Sequence, residues 1–338
     1  MSGRCRLVVS FGTGSNLYSF PHGHPMNNSR TELFAQAIER LRRKQEGEAS
    51  QNPISIIEPT SATEEDLLLF HTKEYVEFVK QSSKTGGGSL DYGDTPSFKG
   101  VFEASMLTVG STLKGVRLLM KGDCDHFFNP VGGLHHARRE RAAGFCVFND
   151  AAIAICELLN VHGVKRLAYV DIDAHHGDGV FYSFESDPRV IIGDIHEDGH
   201  FLYPGTGDSN ETGTDGAEGT KLNIPMHPWS KDSEFFRAFD RVEKFVRDSN
   251  PEFILLQCGA DCLSGDPITQ LSYSAAVHAY ATRKLHQIAH DICGGRILAM
   301  GGGGYDPLNV SEAWTNVMAT LSGKRIEATD ASSLGPWW

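Results

Sequence analysis

The segment 167–178 reads Leu-Ala-Tyr-Val-Asp-Ile-Asp-Ala-His-His-Gly-Asp, and it gives the clearest indication of the fold class. Its first four residues are apolar and long enough for one buried strand, and acidic and imidazole side chains follow at once. In an open parallel sheet, ligands bind in the crevice at the carboxyl ends of the strands. The segment therefore predicts a buried parallel strand that leads directly into a functional site.

Short apolar runs of the same kind recur along the chain and alternate with helical patterns. Strands are predicted over residues 7–9, 167–172, 190–195, 222–224, 253–256 and 297–300. Helices are predicted near residues 33–41, 64–81, 98–121 and 235–246. Strands that alternate with helices indicate a three-layer α/β fold, in which helices cover both faces of a mostly parallel sheet.

The composition is that of an ordinary globular protein. The 338 residues are 40% hydrophobic and 22% charged, which allows a substantial core, and no linker-like stretch divides them. We therefore expect a single domain over residues 1–338. The formal charge of −12 opposes a phosphate-neutralising surface, so direct binding to nucleic acid is not expected.

Cysteine usage and hydropathy indicate where the protein works. The seven cysteines are scattered and never form a C-x-x-C pair, which argues against a disulfide framework or a thiolate zinc site. The N-terminal segment lacks the apolar core of an export signal, and no window reaches a membrane-spanning length. The expected location is the cytoplasm, without membrane association.

Polar side chains follow several of the predicted strands. Asp171, Asp173 and His175 alternate, so an extended backbone would send all three toward one side. Asp261 follows the strand predicted at 253–256. Unpaired carboxylates this close together repel strongly in a buried crevice, and a divalent ion is the usual relief. Two carboxylates and one imidazole would leave coordination positions open for water and substrate.

Each of these features also has a plainer interpretation. A single Asp after a strand more often caps backbone amides, and the tandem pair His135-His136 is weakly informative alone. The glycines before Tyr305 could aim its phenol at the metal or simply form a flexible turn. Surface or core positions are expected for other histidines, including His278, His286 and His290.

Eight ordered segments form a longer motif pattern. They are HPMNNSR (24–30), YGDTP (92–96), GGLHHA (132–137), GFCVFND (144–150), VDIDAHHGDGV (170–180), FLYPGTGD (201–208), QCGADCLSGDP (257–267) and GGGGY (301–305). Together they resemble the zinc-dependent histone deacetylase family, especially its bacterial branch of acetoin-utilisation proteins, across nearly the whole chain. The resemblance implies an arginase-like α/β fold around a parallel sheet.

The resemblance also implies roles for the polar residues. The residues that match the zinc ligands are Asp173, His175 and Asp261. The residues that match the catalytic groups are His135, His136, Tyr305, Asp171 and Asp178. In this assignment the two imidazoles move protons, the carboxylates at 171 and 178 hydrogen-bond to them, and the phenol helps to polarise the substrate carbonyl.

Substrate contacts are implied in the same way. The residues concerned are Asp94, Gly144, Phe145, Tyr203, Ile268 and Gly303. The pair at 144–145 and the tyrosine match the walls of a narrow tunnel for an acyl-lysine stem, and Asp94 matches a rim acid that accepts substrate N–H bonds. Members specialised for acetylated polyamines carry an acid at the position of Ile268, so this apolar residue argues against that substrate.

A structural potassium ion is implied as well. Its inner site would use backbone oxygens of Asp171, Asp173 and His175, whereas Asp194 stands where the family usually has a hydroxyl group. Leu134 departs from the aromatic residue of many nuclear members, which indicates a bacterial type of enzyme.

The implied reaction is zinc-dependent removal of an acetyl or related acyl group from the lysine side chain of a protein or peptide by activated water, with release of acetate. A small acetylated amine or another metabolite is the alternative substrate, Fe²⁺ the alternative ion, and an oligomer is compatible with the sequence. A di-manganese ureohydrolase would need more bridging acids, although two ions per chain would favour it. A catalytically inactive protein that only binds acylated lysine is not indicated, because the residues that match the metal ligands and the catalytic groups are all present.

Overall fold

A computed structural model describes residues 5–21, 23–46 and 54–323, without the side chains of 41–46. The domain predicted over 1–338 therefore includes residues 1–4, 22, 47–53 and 324–338, which lie outside the described residues. The expectation that the N-terminal segment carries no export signal concerns residues 1–4 in part, and these lie outside the described residues.

The described residues form one eight-stranded sheet in which all neighbouring strands are parallel. The strands are β1 (Leu7–Ser10), β2 (Ile54–Ile57), β3 (His126–Asn129), β4 (Leu167–Asp171), β5 (Val190–Glu197), β6 (Lys221–Met226), β7 (Phe253–Gln257) and β8 (Ile297–Met300). Their order across the sheet is β2-β1-β3-β8-β7-β4-β5-β6. The six predicted strands are confirmed as β1 and β4 to β8, whereas β2 and β3 have no counterpart among the predictions.

Helices connect most of the strands. They are α1 (Ser29–Glu46), α2 (Glu64–Leu67), α3 (Lys73–Thr85), α4 (Val101–Lys121), α5 (Asp150–Asn160), α6 (Asp178–Phe184), α7 (Asp232–Ser249), α8 (Ala276–Ile292) and α9 (Pro307–Leu321), with a 3₁₀ turn at Thr13–Asn16. Within the described part of the chain, no helix combines the length and apolarity needed to cross a membrane.

Consecutive residues of one strand face opposite helical layers. Phe127 packs in a core cluster with α3 to α6, whereas Phe128 packs in a second cluster with α1 and α7 to α9. Leu255 and Leu256 divide in the same way. Because strand side chains alternate in direction, the sheet lies between two layers of helices. The predicted three-layer α/β fold is confirmed.

Two predicted helices have different limits in the structure. The helix expected over 64–81 is divided into α2 and α3, because the Thr72 side chain accepts a hydrogen bond from the Tyr75 amide and caps a new helix. The helix expected from residue 98 starts later, as α4, because Gly100 before it has a φ of 92°. Neither difference alters the layers, since all three helices pack on the same face.

Candidate active site

Two acidic side chains and one imidazole meet at the carboxyl ends of β4 and β7. Asp173 and His175 lie just after β4, and Asp261 lies just after β7. His175 Nδ1 is 3.1 Å from Asp173 Oδ1 and 3.0 Å from Asp261 Oδ2. All three side chains are buried, and their ligand atoms lie within 4.8 Å of one another. The three residues can therefore bind one ion together.

The electrostatics of this cluster fit a cation. Burial and the Asp173 carboxylate raise the pKa of Asp261 to about 7. Burial lowers the pKa of His175, but Asp261 and Asp173 outweigh it and raise the pKa to about 10. Two buried carboxylates thus compete for the proton of one imidazole. A divalent ion would supply the positive charge that the cluster lacks, so the donor set fits a metal.

Amide groups fix the orientation of both carboxylates. Asp173 Oδ2 accepts hydrogen bonds from the Gly303 amide at 2.8 Å and from Gln257 Nε2 at 2.8 Å. Asp261 Oδ1 accepts one from the Ala174 amide at 2.8 Å. Partners of this kind hold metal-ligating carboxylates in a single orientation. The second oxygen of each carboxylate is the one that lies near the imidazole.

The tandem imidazoles lie beside this cluster and face each other. His135 Nε2 is 3.0 Å from His136 Nε2 and 4.0 Å from Asp173 Oδ1. His135 Nδ1 is 2.8 Å from Asp171 Oδ2, and His136 Nδ1 is 2.7 Å from Asp178 Oδ1. Because carboxylates accept hydrogen bonds, each Nδ1 carries a hydrogen. Contact between the two Nε2 atoms requires one further hydrogen, so the pair shares a single extra proton.

The two imidazoles differ in their affinity for that proton. Burial lowers the pKa of His135, but Asp171 and Asp173 outweigh it and raise the pKa to about 9. Burial and the adjacent His135 lower the pKa of His136 to about 4. The proton therefore lies on His135, and His136 presents the accepting nitrogen. Such a pair can take up a proton in one step of a reaction and return it in a later one.

Residues at the start of α5 fix the loop that carries the two histidines. Asp150 accepts hydrogen bonds from the Gly133 amide at 3.0 Å and the Leu134 amide at 2.8 Å. Asn149 Nδ2 donates to the carbonyl oxygen of His135 at 3.1 Å. The motifs GGLHHA and GFCVFND thus form one structural unit, in which the second motif positions the first.

Tyr305 lies at the same edge of the sheet. Its amide donates to Asp266 Oδ2 at 2.8 Å, and its ring centroid is 5.8 Å from that of Phe145. Burial and the carboxylates of Asp261 and Asp173 raise the pKa of Tyr305 well above its usual value. The phenol therefore keeps its hydrogen and can donate it to a substrate oxygen.

Three predicted substrate-binding residues lie directly against the polar groups. A Cβ at Gly144 would lie 2.5 Å from the His136 ring and 3.1 Å from the Tyr203 ring. The centroids of these two rings are 5.1 Å apart. A Cβ at Gly303 would lie 2.1 Å from Asp261 Oδ2. The two glycines therefore leave space beside the cluster that any other residue would fill.

Two further predicted positions lie at the surface around the site. Asp94 is exposed, and its neighbour Thr95 accepts a hydrogen bond from the Phe145 amide at 3.1 Å. Ile268 is 37% exposed, and its amide donates to Asp266 Oδ1 at 3.0 Å. The structure thus connects both positions to residues of the site without placing them in the polar cluster.

The residues expected around potassium are neighbours in the sheet. Asp171 and Asp194 are register partners on β4 and β5. Asp194 Oδ1 is 2.7 Å from His196 Nδ1, and its Oδ2 accepts a hydrogen bond from the Gly177 amide at 3.0 Å. His196 Nε2 is 2.9 Å from the Gly207 carbonyl oxygen. Because both ring nitrogens of His196 face acceptors, it is protonated and forms an ion pair with Asp194.

Sequence reasoning missed several residues that support the site. Gln257 bonds to Asp173, Arg138 Nη2 is 2.6 Å from Asp178 Oδ2, and Asp266 joins the Tyr305 and Ile268 amides. Gln257 and Asp266 both lie within the quoted segment 257–267. The available signal was a polar residue at the very end of a buried strand, as at Gln257.

Comparison with known proteins identifies the family of the chain. The histone deacetylase domain matches residues 24–321. The chain therefore belongs to the histone deacetylase family of hydrolases, and its parallel sheet with flanking helices is the arginase-deacetylase-like fold.

Individual relatives lie in bacteria, archaea and yeast. The chain is 37% identical over 328 residues to the acetoin utilization protein AcuC of Bacillus subtilis, covering 94% of this chain and 82% of that protein. It is 36% identical over 310 residues to a probable deacetylase of Archaeoglobus fulgidus, covering 90% and 84%. It is 32% identical over 322 residues to the histone deacetylase RPD3 of Saccharomyces cerevisiae, covering 93% and 71%.

Proposed function

We propose that the protein hydrolyses the acetyl amide of a lysine side chain in a protein or peptide and releases acetate. The observation that carries this proposal is the meeting of Asp173, His175 and Asp261 with the His135-His136 pair at one edge of the sheet. Amide hydrolysis needs an activated carbonyl, a nucleophilic water and a proton for the leaving amine. A single metal ion held by these three residues, beside an imidazole pair that shares a proton, can meet these needs.

Zn²⁺ is the ion that we assign to Asp173, His175 and Asp261. When bound, it would polarise the acetyl carbonyl and lower the pKa of water. Three protein ligands leave room for water and substrate, as catalytic zinc sites require. Fe²⁺ is the alternative, because two carboxylates and one imidazole accept either ion.

The imidazole pair moves the protons of the proposed reaction. The His135-His136 pair takes a proton from the attacking water as the new C–O bond forms. Asp171 and Asp178, which accept hydrogen bonds from the two Nδ1 atoms, stabilise the positive charge that results. The pair then donates this proton to the amine nitrogen as the C–N bond breaks, so the first products are the neutral amine and acetic acid. The acid then passes its proton to the more basic amine, which gives acetate and an alkylammonium ion.

Tyr305 stabilises the negative charge that develops on the carbonyl oxygen. Its hydroxyl stays protonated, because burial and the carboxylates of Asp261 and Asp173 raise its pKa. A donor aimed at a developing oxyanion lowers the barrier more than it stabilises the ground state. This role needs no proton transfer from the phenol.

Exposed apolar side chains around the site favour a polypeptide substrate. Trp229 is 65% exposed, Phe201 52%, Tyr203 44% and Ile268 37%. All four lie on segments that follow β5, β6 or β7, at the edge that carries the polar cluster. Apolar groups exposed beside a site often contact a binding partner. The apolar Ile268 also offers no negative charge to a polycationic amine.

Acetate release from an acetyl-lysine peptide and from an acetylated small amine tests the proposal. We expect kcat/KM for the peptide to be higher by at least about tenfold. Asp261→Asn should abolish turnover of both substrates. A preference for the small amine would favour the alternative substrate, and release of acetate from neither would refute the deacetylase assignment.

The proposal includes a structural K⁺ on backbone oxygens of Asp171, Asp173 and His175. The Asp194 carboxylate is paired with His196, so we do not assign it as an obligatory ligand. A higher unfolding temperature in KCl than in choline chloride would support the ion, and equal temperatures would contradict it. A single domain and a cytoplasmic location are part of the same proposal.

A further inference from the structure

A second group of metal-ligating side chains lies at the other ends of the strands, away from the candidate active site. Cys5 precedes β1, His126 is the first residue of β3, and His286 and His290 lie near the end of α8. Because the strands are parallel, this group, which we call the Cys-His cluster, lies at their amino ends. It is remote from the candidate active site, and no step of the proposed reaction uses it.

The four donor atoms of the Cys-His cluster converge. His126 Nε2 is 3.0 Å from His286 Nε2 and 3.3 Å from His290 Nε2, and the last two atoms are 3.3 Å apart. Cys5 Sγ is 3.6 Å from His286 Nε2 and 3.7 Å from His290 Nε2. Cys5 and His126 are buried, and the other two residues are partly buried.

These separations are close to those of a tetrahedral zinc site. Zn–N bonds of about 2.0–2.1 Å and a Zn–S bond of about 2.3 Å fix the edges of the tetrahedron at about 3.4 Å between two nitrogens and about 3.6 Å between sulfur and nitrogen. The nitrogen separations in the Cys-His cluster lie slightly below the first value, and the sulfur separations match the second. A single ion at the centre would therefore contact all four atoms with little movement.

Hydrogen bonding alone does not account for this convergence. Each imidazole Nε2 carries either one hydrogen or one lone pair, so one hydrogen can join only two of the nitrogens. The third nitrogen then directs its lone pair or its hydrogen at two nitrogens that are already hydrogen-bonded to each other. A cation satisfies all of these lone pairs at once.

Neighbouring residues set the positions of the donors. The two histidines of α8 are four residues apart and so project from one face of the helix. Arg6, next to Cys5, donates to Asp125 Oδ2 from its amide at 2.9 Å and from Nε at 3.1 Å. Asp125 in turn precedes His126. These bonds join the segments that carry the sulfur and the first imidazole.

We propose that the Cys-His cluster is a structural Zn²⁺ site, with Cys5 Sγ and Nε2 of His126, His286 and His290 as its ligands. One thiolate and three imidazoles favour zinc over hard cations such as Mg²⁺ or Ca²⁺. Four protein ligands leave no position for water or substrate, so the ion would stabilise the fold and would not take part in catalysis. The ion would join β1, β3 and α8. This inference is independent of the proposed deacetylation.

Zinc content of the purified full chain tests the site. We expect about two zinc ions per chain in the wild type and about one in Cys5→Ala and in His290→Ala. Cys124→Ala is the matched control, since it removes another buried cysteine close to β3 and should leave the content unchanged. Asp261→Asn should also lower the content to about one, by emptying the other site. If Cys5→Ala contains as much zinc per chain as the wild type, the proposal is wrong.

Substitution by Co²⁺ separates the two sites by their spectra. Of the two clusters only the Cys-His cluster has a sulfur donor, so a thiolate-to-Co²⁺ charge-transfer band reports on it alone. The band should be present in the wild type and in Asp261→Asn and absent in Cys5→Ala. If Cys5→Ala does not fold, the wild-type spectrum decides, because Co²⁺-loaded protein without this band would exclude the thiolate ligand.

Discussion

Replacing Gly303 by alanine would place a methyl group between the two carboxylates of the candidate metal site. The new Cβ would lie 2.1 Å from Asp261 Oδ2 and 2.9 Å from Asp173 Oδ2, whereas real Cβ contacts are essentially never under 3.0 Å. The carboxylate of Asp261 or the loop must therefore shift by about 0.9 Å. Displacing a group of the site by roughly 1 Å can cost about 10²-fold in rate. Gly303 does not have a positive φ, so alanine adds no backbone strain.

The assay is kcat/KM on an acetyl-lysine peptide, with zinc content measured on the same sample. We expect Gly303→Ala to lower kcat/KM by about 10²-fold or more and to lose zinc from the candidate active site. Gly87→Ala is the matched control, because its Cβ would meet nothing within 4 Å and its φ is not positive. A Gly303→Ala variant with wild-type rate and zinc content would refute the inference that these two carboxylates hold one ion.

Four other changes test separate parts of the site and fold. Tyr305→Phe should lower kcat by about 10²-fold with zinc content unchanged, and full activity would exclude the oxyanion role. Asp178→Asn should keep the zinc but slow turnover by roughly 10²-fold or more, because His136 loses its carboxylate, and an unchanged rate would contradict this. Ile268→Glu should raise kcat/KM for a cationic acetylated amine relative to the peptide by about tenfold, whereas an unchanged ratio would remove this position from substrate selection. Burial lowers the pKa of His71 to about 3. Below about pH 6.5 the unfolded chain therefore binds a proton at this histidine that the folded chain does not. As a result, the free energy of unfolding falls toward pH 3 by up to about 1.4 kcal/mol per pH unit. Urea unfolding between about pH 5 and pH 7 should therefore show a weaker pH dependence in His71→Gln, and equal dependence would contradict the assignment.

The fold could be predicted where burial is complete. β4 and β7 are buried at every residue, so their apolar runs stand out in the sequence. β2 is an edge strand with partly exposed residues, and β3 begins with His126 and ends with Asn129, which shortens its apolar run. The break before α3 depends on one side-chain hydrogen bond from the Tyr75 amide to Thr72, which the apolar spacing does not reveal.

The candidate site could be predicted to the extent that its residues lie next to strand ends. Asp173 and His175 follow β4 directly, so their convergence was expected from the alternation of a strand. Gln257 was missed because its role depends on a contact with Asp173, 84 residues away. The Cys-His cluster is still harder to predict from the sequence, since Cys5 and His286 are 281 residues apart and no local motif relates them.

The presence of two clusters changes what a metal count would mean. Two ions per chain would ordinarily favour a binuclear centre, but such a centre needs carboxylate oxygens that bridge to a second ion. In the candidate active site, Asp173 Oδ2 and Asp261 Oδ1 accept hydrogen bonds from amides, which leaves one oxygen of each directed at His175. A second ion would therefore bind at the Cys-His cluster, on the other edge of the sheet. If Cys5→Ala lost one ion and still released acetate, the active site would be mononuclear. If Cys5→Ala instead kept both ions, a binuclear centre at Asp173, His175 and Asp261 would be favoured.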